Sequence, residues 1–304
     1  MSLLCGADTA ADVAEAIDLL EPDAIVVDCM LAGALAVAER SHVPGAVLVH
    51  MLDHGHPEGI CARFFSATLP LVNETRHRLG LPALATYAEL IEPMALVLVT
   101  SVQALERPHS RLTDNVRYIG PVFGGPSQAP VPDLPPEDQP LVLVSFSTTY
   151  QHQQEPLQRV ADALAQLPVH GLITLGDVLA PELLSLPANV TACAFASHEV
   201  LLARASLVVT HAGLGTVMGA LSYGVPLLCM PMGRDQDTNA QRVQELGASL
   251  TLPLDAGVAE IRQAIVEVLD SGCYRDASSR LGEAFASACG ARGAAHELER
   301  LCTG

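Results

Sequence analysis

Tryptophan and lysine are absent from this 304-residue sequence, and aromatic residues of every kind make up 4% of it. Basic residues are scarce: 16 Lys plus Arg face 34 Asp plus Glu, for a formal net charge of -18. Such a field repels phosphate backbones and anionic lipid surfaces, so nucleic acid and membrane are set aside as partners. An anionic small ligand would have to be held by backbone amides and local dipoles rather than by a basic patch. Long apolar runs are missing as well. The opening MSLLCGADTAADVAEAIDLLEPDA has no basic segment and only a few apolar residues in a row. It is therefore neither a signal peptide nor a membrane span, and a cytoplasmic protein is expected. The cysteines, at 5, 29, 61, 193, 229, 273, 289 and 302, include no C-x-x-C pair and no metal-ligand spacing. They read as small buried side chains in a reducing compartment, with no metal and no cofactor expected.

What is present is hydrophobic and regular. Half of the residues are hydrophobic, enough for two domains with separate cores. Short β-rich apolar runs alternate with helical patterns, the mark of βα units around parallel sheets. A helix is expected at 8–20, then strands at 24–28 and 46–50 around a helix at 31–41, a mostly helical stretch to about 92, and strands at 95–101 and 116–120. Seven prolines between 121 and 140 exclude helix and central strand there. A second series follows, with strands at 141–147, 171–176, 190–195, 206–213 and 225–231 and two or three closing helices. The expected domains are 1–123, a linker at 124–140, and 141–304.

The stretch VVTHAGLGTVMGALSYGVP, residues 208–226, delivers His211 to the carboxyl end of a parallel strand, where ligands bind in open α/β sheets. Gly213 and Gly215 let the backbone approach a ligand at a helix start, whose free N–H groups favour an anion. This would be a diphosphate site that needs no lysine. A packed histidine beside a tight turn is the plain alternative. Downstream, PLLCMPMGRDQDTNA releases Asp235, Gln236 and Asn239 into a loop. Neighbouring carboxylate and carboxamide groups suit the vicinal hydroxyls of a sugar, although a solvated turn with a helix cap would read the same way.

Together, HAGLGT, GVP, MP and DQ resemble the donor signature of nucleotide-sugar glycosyltransferases of the GT-B fold, closest to the bacterial branch acting on macrolides, enediynes and aromatic polyketides. The resemblance runs from 141 to the last helices and less distinctly over 10–120. It implies an α/β chain of two Rossmann-like domains, the first incomplete. It implies that His211 contacts the donor diphosphate with the amides of Gly213, Gly215 and Thr216, and that Asp235 and Gln236 contact the sugar. AFASHEVLL (194–202) is similar to the stretch lying against the nucleobase, which assigns Phe195 and His198 to the base; Phe195 replaces a usual tryptophan and Ser197 a usual proline, so stacking is looser. Ser147 and Thr148 match small hydroxyl residues at the domain cleft, and capping of the next helix explains them equally well. Gly219 stands where many UDP-sugar enzymes carry a ribose-binding glutamate, which tilts the expected donor from a UDP-sugar toward a dTDP-deoxysugar.

For chemistry, the resemblance implies metal-independent displacement with inversion at the anomeric carbon, a histidine deprotonating a hydroxyl of a hydrophobic aglycone and an aspartate orienting that histidine. The aspartate matches Asp28 in PDAIVVDCMLAGALAVAE. No histidine precedes it, so roughly 80 to 100 residues of a family member are expected to be missing from the start. Strand 24–28 is then expected at a sheet edge, to be covered by a second copy or a partner chain. VHMLDHGHPEG (49–59) offers His50, His54, His56 and Asp53 just past a strand end, with His54 and His56 as substitute bases or, as the plain alternative, surface residues of a loop. The alternative to an enzyme is a catalytically inactive nucleotide-sugar-binding or auxiliary protein. A GT-B epimerase fits less well, since basic phosphate ligands are lacking.

Overall fold

The computed structural model describes residues 6–53, 56, 59–108, 113–124, 129 and 132–303. Two compact units emerge: Met1–Val122 together with Ala288–Gly304, and Phe123–Ser287.

The first unit begins with α1 (Ala7–Leu20), β1 (Ile25–Asp28), α2 (Ala32–Arg40) and β2 (Gly45–Val49). It continues with α3 (Ile60–Arg78), α4 (Tyr87–Ile91), β3 (Leu96–Val99) and β4 (Val116–Tyr118). The four strands pair in chain order and all run parallel. Strands buried on both faces need apolar side chains at every position, and LVLV of β3 is buried throughout. One face packs Val47, Val49, Val97 and Val99 against Leu35 of α2 and Phe65 of α3. The alanine-rich sequence of α2 lets it lie close, with every residue from Ala32 to Ala38 buried. Arg76 of α3 is 1% exposed and grips Glu39 of α2 through two guanidinium nitrogens, at 2.5 and 3.1 Å. Its Nε–H donates to Pro82 O at 2.8 Å. As expected, β1 is an edge strand, pairing with β2 alone among the described residues, and its Val26 is half exposed.

The second unit contains β5 (Leu141–Ser145), α5 (Gln154–Leu164), β6 (His170–Thr174), β7 (Val190–Cys193), α6 (His198–Arg204) and β8 (Ala205–Thr210). After these come α7 (Leu214–Ser222), β9 (Leu227–Cys229), α8 (Gln236–Glu245), β10 (Ser249–Thr251), α9 (Val258–Asp270) and α10 (Gly272–Ala286). Its six strands are parallel, in the order β7-β6-β5-β8-β9-β10. From β5 the chain winds outward through β6 and β7, then returns to place β8 on the other side of β5. That is the doubly wound order, with its switch point between β5 and β8. The core joins Val142 and Val144 of β5, Leu207 and Val209 of β8, and Leu157, Ile261 and Ile265 of the helices.

Three local expectations change. The strand expected at 206–213 ends at Thr210, leaving His211 in the loop. β10 is an additional strand, too short at three residues to carry a legible pattern. The last helix, α11 (Gly290–Thr303), was expected with residues 141–304. Instead it clusters with the first unit, where Ala294, Leu298 and Leu301 cover Ala46, Leu96, Leu98 and Ile119. Arg117 of β4 and Glu297 form an ion pair there at 3.3 Å.

Candidate functional site

The switch point of the second sheet brings together the ends of β5 and β8. Beyond β8, Thr210 Oγ1 accepts a hydrogen bond from the amide of Ala212 at 3.3 Å, and Ala212 takes a left-handed conformation, φ 65°. This sharp turn swings His211 back over the start of α7. A Cβ at Gly213 would lie 2.6 Å from His211 Nε2, so glycine is required for the imidazole to sit there. At Gly215 a Cβ would meet nothing within 4 Å. Packing inside the protein therefore does not explain that glycine, while the approach of a ligand would. No side chain caps α7, so its first amides remain donors, at the positive end of the helix dipole. His211 is buried, 9% exposed. Burial lowers its pKa below the ordinary value; Arg234 adds to this, while a hydrogen bond donated to the Ser145 backbone carbonyl and the charge of Asp235 oppose it. The site thus holds a neutral imidazole beside a row of amides, an arrangement suited to an oxyanion.

Asn239 holds this turn in place. It is 1% exposed and donates from Nδ2 both to Ala212 O at 3.0 Å and to Asp235 Oδ2 at 2.8 Å. Gln236 is also buried; its Oε1 accepts from Met232 N at 2.7 Å and its Nε2 reaches Gln151 at 3.4 Å. Both Asn239 and Gln236 brace this loop, while Asp235 is partly exposed at the start of α8. Arg234 has φ 62° and donates to Thr149 Oγ1 at 3.3 Å. Sequence reasoning passed over this cation because it stands outside the motif.

On the β5 side, Ser147 Oγ accepts from Thr149 N at 3.1 Å and from Gln151 Nε2 at 2.6 Å. Ser147 thus shapes the loop, and the neighbouring Thr148 is exposed. Phe195 is half exposed just before α6, and His198, first residue of α6, has its pKa lowered by burial. A Cβ at Gly219 would come within 3.3 Å of Leu202 Cδ1, so contact between α7 and α6 also favours a small residue there.

In the first unit Asp28 has no upstream histidine but meets a downstream one: His50 Nε2 lies 2.9 Å from its Oδ2. The register pairs Asp28 with Leu48, so His50 emerges from the end of β2 beside the end of β1. Cys29 adjoins this pair, and the three groups offer ligand atoms all within 4.8 Å of one another. The Cys29 thiol is lowered to about 6, first by a hydrogen bond from Cys61 and then, against the opposing effect of burial, by His50. His50 is raised to about 9, chiefly by Cys29, with Asp28 contributing. Asp53, the carboxylate nearest the other histidines in sequence, is fully buried. Its two oxygens accept from Arg107 N at 3.0 Å and Arg107 Nη1 at 2.7 Å, and its own amide donates to Glu106 Oε2 at 2.6 Å. It holds a loop and is not an acid-base partner. His54 lies outside the described residues; His56 is half-buried, its amide donating to Asp53 O at 3.0 Å.

Residues 158–301 match the family described as erythromycin biosynthesis protein CIII-like, C-terminal domain. The fold is the GT-B fold of solved glycosyltransferases. The chain is 27% identical over 221 residues to NDP-glycosyltransferase YjiC of Bacillus subtilis (strain 168), covering 72% of itself and 56% of that protein. It spans about half the length of two of the curated relatives it matches. The calicheamicin glycosyltransferase CalG4 shares its fold with a TM-score of 0.79 at 23% identity, over 96% of this chain and 79% of that one. Glycosyltransferase VinC, solved in complex with dTDP, does so with a TM-score of 0.73 at 19% identity, over 97% and 75%. Among the described residues no helix is long and apolar enough to cross a membrane.

Proposed function

We propose that the second unit binds the diphosphate of a nucleotide-sugar at His211 and the first amides of α7, and that the chain serves inverting transfer of the sugar to a hydroxyl of a hydrophobic natural-product aglycone. The observation that carries this reading is the imidazole seated over Gly213 at an uncapped helix start, at the switch point of the sheet. The leaving diphosphate gains negative charge as the glycosidic bond to it breaks. Amides already aligned along α7 meet that charge without reorganising, and no metal on the diphosphate is needed. Gly215 and Thr216 extend the cradle, and Arg234 supplies one cation at its rim. Asp235 is the carboxylate placed to accept from sugar hydroxyls. Gln236, which also braces the loop, is assigned with it to the sugar. Phe195 and His198 are assigned to the base. A dTDP-deoxysugar is the favoured donor: Gly219 offers no carboxylate to a ribose, and the structural relative VinC was solved with dTDP.

Calorimetric titration with dTDP and with UDP tests the donor reading. We expect both to bind, dTDP more tightly, and His211→Ala to weaken each. Failure of the parent chain to bind either nucleotide refutes it. An assay with a dTDP-deoxysugar and a polyketide aglycone then tests transfer; binding without turnover assigns this chain the donor-binding role alone.

A further inference from the structure

The Asp28, Cys29 and His50 cluster is a second chemical centre, remote in sequence from the donor motif. The expectation of no metal rested on spacing within single segments. Here the parallel pairing of β1 and β2 joins a carboxylate, a thiol and an imidazole from two segments, at the carboxyl ends of two neighbouring strands. Their ligand atoms all lie within 4.8 Å of one another. Tetrahedral zinc, with bonds of about 2.0 to 2.3 Å, places its ligand atoms about 3.3 to 3.6 Å apart. Side-chain rotation that brings the most distant ligand atoms about 1.2 to 1.5 Å closer closes the widest gap this cluster can hold. The shared proton contact between His50 and Asp28, at 2.9 Å, would open slightly around the ion.

Three further features favour a cation here. Asp28 Oδ1 already accepts from the amide of Met30 at 2.8 Å, which orients the carboxylate and leaves Oδ2 against His50 Nε2. Such outer hydrogen bonds are what position metal-ligating carboxylates. Cys29 is buried, while the side chains of His50 and Asp28 are 42% and 39% exposed, so the cluster has a closed sulfur floor and an open side toward solvent. Sulfur plus imidazole selects a borderline-soft ion such as zinc over magnesium or calcium, which prefer oxygen ligands. The strongly acidic chain also attracts cations generally.

We propose that Asp28, Cys29 and His50 form a binding site for a zinc-class divalent cation, with the fourth coordination position open to solvent. Three protein ligands and one open position is the arrangement by which zinc presents a water or hydroxyl oxygen, rather than the closed four-ligand arrangement of purely structural zinc. The inference does not rest on the donor site.

The full chain, freed of metal with a chelator, is titrated with zinc by calorimetry and with cobalt by absorption spectroscopy. The expected result is one ion per chain and a thiolate-to-cobalt charge-transfer band in the near ultraviolet. Cys29→Ser removes the band, and His50→Ala and Asp28→Asn each weaken zinc by no less than about tenfold. Cys273→Ser, at an exposed cysteine elsewhere, changes neither. Circular dichroism checks that each variant is folded; should Cys29→Ser fail to fold, the two half-exposed positions carry the test. Absence of the band in the parent chain, its persistence in Cys29→Ser, or unchanged zinc affinity in both His50→Ala and Asp28→Asn overturns the proposal.

Discussion

Replacing Gly213 by alanine is a precise probe of the donor site, because its effect on stability and its effect on binding separate. The added methyl would lie 2.6 Å from His211 Nε2 and 2.9 Å from Cε1. Both atoms belong to the far end of one side chain, and no backbone atom stands as close. Gly213 has φ -60° and ψ 133°, a conformation open to alanine, so backbone strain adds nothing. The imidazole must therefore turn away, and the cost to the fold stays at the lower end of overpacking, about 1 kcal/mol. Binding suffers more. A hydrogen bond to a charged group contributes about 1.5 to 3 kcal/mol, so displacing His211 raises the Kd for dTDP about tenfold to one-hundredfold. The companion Gly215→Ala meets no atom within 4 Å and relieves glycine's entropy cost in a helix, stabilising by up to about 1 kcal/mol. It still weakens dTDP, because the methyl occupies the ligand's path. Thermal melts and calorimetry on both variants decide the matter. Unchanged dTDP affinity in Gly213→Ala would refute the role of His211, and unchanged affinity in Gly215→Ala would remove the helix start from the diphosphate cradle.

Asn239→Leu loses both hydrogen bonds from Nδ2 and leaves Ala212 O without that donor; a loss of about 1 to 3 kcal/mol is expected in urea denaturation, and a change below the error of the measurement would contradict it. Arg76→Met strands the Glu39 carboxylate, which is 17% exposed; breaking such a pair from one side costs about 3 to 5 kcal/mol, whereas Arg76→Met together with Glu39→Leu should recover much of that stability. Burial lowers the pKa of His198, so its neutral form stabilises the fold above the unfolded value of about 6.5 and this contribution is lost as pH falls through the folded value. The difference in urea midpoint between pH 7.5 and 5.5 should therefore be smaller in His198→Asn than in the parent, and an equal or larger difference would show that His198 does not contribute.

The sequence makes the βα alternation legible because strands buried on both faces are apolar at every position, as LVLVS at β5 and LVLV at β3 illustrate. The donor motif is legible for a different reason: His211, Gly213 and Gly215 lie within one strand-to-helix turn, so their proximity in space follows from proximity along the chain. The surroundings of Gln236 are not legible in the same way: its hydrogen bonds to Met232 N and Gln151 depend on how the loop folds. The contact between His50 and Asp28 depends on strand register, which no local pattern encodes. Asp53 shows the same limit from the other side: it stands next to histidines in sequence, yet the fold commits it to Arg107.

The packing of α11 on β2, β3 and the end of β4 bears on the order in which the chain acquires structure. Residues 123–287 can leave the ribosome and fold while the first unit still lacks its final helix. Domains ordinarily fold from the amino end during synthesis; here the first unit is completed only after residues 123–287 have been made. Until Ala294, Leu298 and Leu301 emerge, the face formed by Ala46, Leu96 and Leu98 stays wet. An expression fragment cut within the proline-rich stretch would keep that face uncovered permanently, so residues 1–122 alone should aggregate, and supplying α11 as a fused segment should restore solubility.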